Sequence, residues 1–191
     1  MNKTIFITGT PGVGKTTVAA ELANDLSNIY DVKLIKINDL AIDNDLILGK
    51  DDKKDYKIVD INKLNLKLKE VLEEFFYSKN QSKIAIVEGH LSHLCSNPDK
   101  VVILRVNPEI LEKRLTERKY SLNKINENLE AEALAVCSVE AYEIHGNKVN
   151  EIDCTNLSLK EIISIIKDVI EDKKEFTIGN VDFLDWILNN S

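Results

Sequence analysis

Apolar positions in this chain follow two periods that alternate from one end to the other. Thr4-Ile5-Phe6-Ile7-Thr8 is a β-branched, apolar run of strand length that ends in a glycine-rich turn. A helical pattern follows from Lys15 to about Ser27, then a second strand from Val32 to Ile37. A short helix is expected after Asn38 or Asp39, either of which can cap its free N–H groups. Gly49 to Asp55 carries six charges in seven residues and reads as a solvated loop. After Asp60, another cap, Ile61, Leu64, Leu68, Val71, Leu72 and Phe75 repeat at the spacing of one helix face.

The second half repeats the alternation. Ile84–Val87 and Val101–Leu104 are continuous apolar runs, as expected of central strands covered on both faces. Asn107-Pro108-Glu109 combines a cap, a proline at the first helical position and an acid in the first turn. Lys119 to Asn123 reads as a break, followed by one helix to about Ile144 closed by Gly146. Val149–Asp153 is a fifth strand, and Ser158-Leu159-Lys160-Glu161 is a capping box opening the helix that carries Ile162, Ile163, Ile166 and Ile170. The tail, 175–191, holds an apolar set around Trp186 that reads as a final helix packed on the body. Strands separated by helices imply parallel pairing with right-handed crossovers: a three-layer α/β/α sandwich around a five-stranded parallel sheet, in one domain spanning 1–191.

Composition narrows the function classes. With 191 residues and 43% apolar content, the chain can build its own core without disulfides. Its three cysteines, Cys95, Cys137 and Cys154, are widely spaced, which suits buried thiols in a reducing compartment. No apolar run reaches the length of a membrane span, and Met1-Asn2-Lys3 leads straight into a strand, so a cytoplasmic location is expected. A net charge of −7 argues against broad nucleic-acid coating. Among 25 basic residues only Arg105, Arg114 and Arg118 are arginine, all in one short stretch. Arginine's planar fork grips phosphate with two hydrogen bonds.

Gly9-Thr10-Pro11-Gly12-Val13-Gly14-Lys15-Thr16 fits the P-loop pattern G-x-x-x-x-G-K-[ST], with a strand before it and a helix after. Such a loop aims successive backbone N–H groups into one hollow at a helix N-terminus. Gly9, Gly12, Val13 and Gly14 would form the cradle. Lys15 would reach the β- and γ-phosphates, Thr16 would bind Mg²⁺, and Thr17 the α-phosphate. The guanine-reading motifs of GTPases are missing, which favours ATP. Glu88, at the end of a buried strand beside the P-loop, is placed to orient the metal's water shell. His90 would donate to a phosphate or align a water. His93 reads as structural, and no second cluster completes a zinc site. Arg114 and Arg118, four residues apart on one helix face, would stabilise charge on the transferring phosphoryl group. Arg105 stays open between such a role and pairing with a carboxylate.

These residues resemble a known family. The stretch from Ile7 to Thr17, Glu88-Gly89-His90-Leu91-Ser92-His93-Leu94, Leu104-Arg105-Val106-Asn107-Pro108 and Arg114-Leu115-x-x-Arg118-x-Tyr120-Ser121 are similar to the atypical adenylate kinases of archaea and the eukaryotic nucleus, the adenylate kinase isoenzyme six family. Asn128-Leu129-Glu130-Ala131-Glu132 and Ile178-Gly179-Asn180-Val181-Asp182 extend the likeness. The resemblance implies a nucleoside monophosphate kinase-like fold with a monophosphate-binding insertion at about 32–57 and a short lid at about 117–127. It implies ATP contacts at Gly12, Gly14, Lys15, Thr16, Thr17 and the lid residue Arg118, with Asn156 and Leu157 against adenine. The family's Asp-x-His reads here as Glu88-x-His90, and Ile42 stands where eukaryotic members carry arginine. The implied activity is a broad-specificity transfer from ATP to AMP or another monophosphate, with Mg²⁺. Also implied is an ATPase role in late small-subunit (16S rRNA) maturation through transient contact with ribosomal protein uS11. The alternatives are an assembly ATPase switch with incidental kinase activity, and a kinase for another small acceptor.

Overall fold

β1 (Asn2–Thr8) runs through the middle of the sheet and delivers the P-loop to α1 (Lys15–Leu26). The chain then forms β2 (Asp31–Lys36), α2 (Ile37–Asp43), β3 (Ile47–Asp51), β4 (Tyr56–Val59), α3 (Ile61–Phe76), β5 (Lys83–Glu88) and β6 (Lys100–Arg105). It continues through α4 (Pro108–Glu117), α5 (Leu122–Ala133), α6 (Val136–His145), β7 (Val149–Asp153), α7 (Leu159–Ile170) and α8 (Leu184–Asn190). The computed structural model describes residues 2–51, 56–77 and 82–190.

The main sheet has five strands in the order β2-β5-β1-β6-β7, all pairs parallel. The alternation of strand side chains splits the core in two. Ile5, Ile7, Ile84 and Ile86 join Leu22, Leu111, Leu129 and Ile166 on one face, from α1, α4, α5 and α7. Phe6, Val87 and Val101 join Leu64, Leu68 and Ala141 on the other, from α3 and α6. Because β5 and β6 flank β1 on opposite sides, the chain reverses direction across the sheet at the carboxyl end of β1, where open parallel sheets form a crevice. Local caps fix the helix starts read from sequence: Asp60 accepts from the Lys63 amide at 3.0 Å, Asn107 from Glu109 at 2.8 Å, and Ser158 shares a capping box with Glu161.

Several boundaries differ from the sequence reading. Residues 32–36 belong to β2 in the main sheet, so the excursion from the sheet begins at Ile37 and runs through α3 to Phe76. α2 starts at Ile37, ahead of both expected caps, with no side-chain cap. Part of the expected charged loop is an antiparallel hairpin, β3 with β4, whose Leu48 faces solvent; residues 52–55 lie outside the described residues. The single helix expected up to Ile144 is two helices, broken at Leu134-Ala135 with Ala135 left-handed at φ 54°. The break before it narrows to residues 118–121, since α5 already begins at Leu122. Among the described residues of the tail only α8 is helical; Trp186 packs on the core, as expected, while Leu188 stays exposed. No helix among the described residues is long and apolar enough to cross a membrane.

Candidate active site

Main-chain geometry of the P-loop depends on glycine at two points. Gly9 has φ +133° and a Cβ there would sit 2.5 Å from the Leu104 carbonyl oxygen; Gly12 has φ +98° and a Cβ would meet Leu111 Cδ1 at 2.7 Å. The loop therefore presses against β6 and α4 while its inner side opens into a cavity of about 250 Å³. Gly12, Gly14, Lys15, Thr16 and Thr17 line that cavity together with Glu88 and His90 from the end of β5, Arg118 and Tyr120 from the turn between helices, and Lys124 from the first turn of α5.

Lys15 is buried and folds back on the loop, its Nζ donating to Gly9 O at 2.8 Å and Thr10 O at 2.9 Å. Burial lowers its pKa from 10.5 to about 8, against the opposing pull of neighbours that include Glu88 and Glu132. The Thr16 hydroxyl donates to both Glu88 oxygens, at 3.3 and 3.4 Å. Burial raises the Glu88 pKa, and the nearby Lys15 charge and the Thr16 hydrogen bond oppose the rise. A hydroxyl beside a carboxylate is an all-oxygen donor pair, the chemistry that suits Mg²⁺ when phosphate and water complete the shell. No cluster of three or more His, Cys, Asp or Glu side chains among the described residues forms an all-protein cage.

His90 is held neutral: burial first, then the neighbouring Lys15, His93 and Lys124, lower its pKa to about 4. It can exchange hydrogen bonds with a phosphate or a water, but it is no cation at neutral pH. His93 is buried behind it, with Nδ1 2.8 Å from Thr8 Oγ1 and Nε2 3.0 Å from Glu140, the structural position expected for it.

Two further cavities flank the phosphate hollow. One, of about 280 Å³, lies on the outer side of the P-loop and is lined by Gly12, Val13, Thr17, Arg114, Arg118 and Leu157, among others. The other, of about 540 Å³, is walled by Ala41, Ile42, Ile47, Val59, Ile61, Leu91 and Leu94, with Asn38, His90 and Lys124 at its border with the phosphate hollow. Arg118 belongs to the first two cavities; Asn38, His90 and Lys124 belong to the phosphate hollow and the large cavity. Asn156 is exposed next to Leu157.

The arrangement separates residues that sequence reasoning groups together. Arg118 faces the phosphate hollow, but Arg114 does not line it: its guanidinium donates to the Val13 carbonyl at 3.2 Å and braces the loop from outside. Arg105 is fully buried against Glu132 and Glu151, the carboxylate-pairing role left open for it. Lys124, Tyr120 and Asn38 are site residues that the sequence reading misses. Lys124 carries one signal: a cation in a helix's first turn opposes the helix dipole, an unfavourable placement unless something nearby needs the charge.

A family model described as an AAA domain matches residues 5–135. The chain is 41% identical over 184 residues to a protein of Methanothermobacter thermautotrophicus named "Putative adenylate kinase", covering 96% of this chain and 99% of the relative. A protein of the same name from Methanocaldococcus jannaschii is 40% identical over 171 residues, covering 90% and 88%. Among solved structures, the thymidylate kinase of Candida albicans superposes with a TM-score of 0.56 at 16% identity, covering 90% of this chain and 92% of that one, a likeness of fold.

Proposed function

The chain belongs to the archaeal adenylate kinase family, and from that premise we propose that it transfers the γ-phosphoryl group of ATP to AMP or a related nucleoside monophosphate. One observation carries the reading: three contiguous cavities run in a row, a base-sized one, a phosphate hollow on the P-loop, and a larger apolar one beyond it. That is the order adenine, triphosphate, acceptor.

The P-loop amides and Lys15 bind the β- and γ-phosphates, with Lys15 leaving the Gly9 and Thr10 carbonyls to do so. Thr16 and Glu88 would hold Mg²⁺, which neutralises charge on the phosphates and orders the oxygens for in-line transfer. Arg118 and Lys124 both line the hollow and bring cations to where negative charge builds on the equatorial oxygens. Neutral His90 orients the attacking oxygen by hydrogen bonding. Arg114 acts one step removed, by fixing Val13. The acceptor's base lies against apolar walls that offer few polar groups, which fits a broad choice of base. Among the described residues lining that cavity, Lys124 is the only cation.

The net charge of −7 favours a second reading, an ATPase that assists small-subunit maturation by transient contact with a basic partner such as ribosomal protein uS11. One assay separates the two: ADP formation from ATP and magnesium with and without each nucleoside monophosphate, then with uS11. Stimulation by AMP or another monophosphate is expected; stimulation by uS11 alone would replace the kinase with the switch. Lys15→Ala is expected to abolish ADP formation in every arm, and unchanged turnover would refute the P-loop assignment.

A further inference from the structure

Beneath the P-loop lies a buried polar cluster that the reaction does not use directly. The Thr10 hydroxyl donates to Glu132 Oε2. The other Glu132 oxygen accepts from Arg105 Nε at 2.9 Å and from the Val106 amide at 2.9 Å, and the Glu132 carbonyl accepts from Arg105 Nη2 at 2.6 Å. Arg105 Nη1 reaches on to Glu151, which also accepts from Ser138 at 2.5 Å and from the Gly179 amide at 3.0 Å. Thr10, Arg105, Glu132, Ser138 and Glu151 are each no more than 3% exposed. A carboxylate accepts and never donates, so Glu132 fixes the direction of the Thr10 hydroxyl as well as its place.

Two consequences meet at Thr10. Its carbonyl is one of the two that hold Lys15 and also accepts from the Val13 amide at 3.3 Å, so the position of this peptide sets the shape of the cradle. Glu132 also lies in the last turn of α5, whose first turn carries Lys124 into the phosphate hollow. One helix thereby spans from the cavity mouth to the underside of the loop.

We propose that Glu132 is a positioning residue for the nucleotide loop, acting through Thr10 to hold the cradle in its phosphate-binding shape. It rests on the preceding reading only in taking the loop to hold a triphosphate. The test is equilibrium binding of a non-hydrolysable ATP analogue with magnesium to wild type, Glu132→Gln, Thr10→Val, the double variant and Thr10→Ser, each checked for a cooperative thermal transition. Gln keeps an oxygen for Arg105 and Val106 but turns an N–H towards Thr10. Loss of a hydrogen bond to a charged group predicts about tenfold weaker binding for each of the first two single variants. The double variant is expected to bind no more weakly than the weaker single, since both changes break one link. Thr10→Ser keeps the hydroxyl and is expected to bind within about twofold of wild type. Unchanged affinity in folded Glu132→Gln, or losses that multiply in the double variant, would overturn the proposal. Should Glu132→Gln not fold, Thr10→Val decides: wild-type affinity there overturns it equally. Failure of the wild type itself to bind the analogue would instead sink the nucleotide reading.

Discussion

Lys15 carries its charge in a buried position, and its titration follows from that. Burial holds its pKa at about 8 in the free protein, so it is an ammonium below that pH and increasingly a neutral amine above it. A triphosphate binds the ammonium form, so affinity for an ATP analogue is expected to be level below about pH 8 and to fall above it, approaching tenfold per pH unit. Calorimetry in buffers of different ionisation enthalpy should detect proton uptake on binding at pH 9, and equal affinity at pH 7 and 9 with no uptake would contradict the assignment. Gly12 makes a second residue-scale demand. Its φ is +98°, and a methyl added there would come within 2.9 Å of side-chain carbons of both Leu111 and Leu115, so Gly12→Ala must strain the loop or push α4 away. A loss of about 1–3 kcal/mol in thermal or denaturant unfolding is expected, with weaker analogue binding beside it. A variant as stable as wild type would show that the loop has room the geometry denies.

At the scale of elements, the junction of α5 and α6 is held by its surroundings against its own preferences. Leu134 and Ala135 are good helix formers, yet Ala135 takes the left-handed conformation at φ 54°, which costs an L-residue about 1–2 kcal/mol. Ala135→Gly removes that penalty and is expected to raise the melting temperature by a few degrees, about 1 kcal/mol at this chain length; a lowered melting temperature would mean the alanine methyl contributes packing instead. The same junction marks where the sequence stops being legible. β1, β5 and β6 could be read because burial on both faces leaves apolar runs, and Asp60, Asn107 and Ser158 because a cap acts within its own turn. The α5–α6 break has no local signature: just before it, the Glu132 carbonyl accepts from Arg105 and its carboxylate from Thr10, Arg105 and Val106, partners remote in sequence. The β3–β4 hairpin escaped for the opposite reason, since solvent-facing strands such as the one carrying Leu48 show no apolar alternation. In the site, the P-loop, Glu88 and His90 could be placed because they abut a strand end. Arg114 and Arg118 share a helix face in sequence, but α4 ends at Glu117, so Arg118 swings into the hollow while Arg114 stays behind the loop.

At the scale of the molecule, everything chemical lies along the carboxyl edge of the sheet, and two parts of the chain overhang it. The excursion from Ile37 through Ile61 supplies Asn38, Ala41, Ile42, Ile47 and Val59 to the large apolar cavity. The P-loop with Arg114, Arg118 and Leu157 lines the cavity of about 280 Å³ on its outer side. Among the described residues only Asn38, His90 and Lys124 are common to the phosphate hollow and the large cavity, so ligands entering from the two sides should order different stretches of backbone. Hydrogen exchange followed by mass spectrometry tests this directly. An ATP analogue alone is expected to slow exchange in the P-loop and around residues 114–124, leaving the 37–49 stretch near its free rate. AMP alone is expected to slow the 37–49 stretch and spare the amides around Leu157. Both ligands together should protect the first turn of α5 more than either does singly, because Lys124 then faces phosphate from both sides. Protection of 37–49 by the analogue alone, equal to that given by AMP, would mean that the large cavity is no separate acceptor site, and the transfer reaction would lose its second substrate's place in the fold.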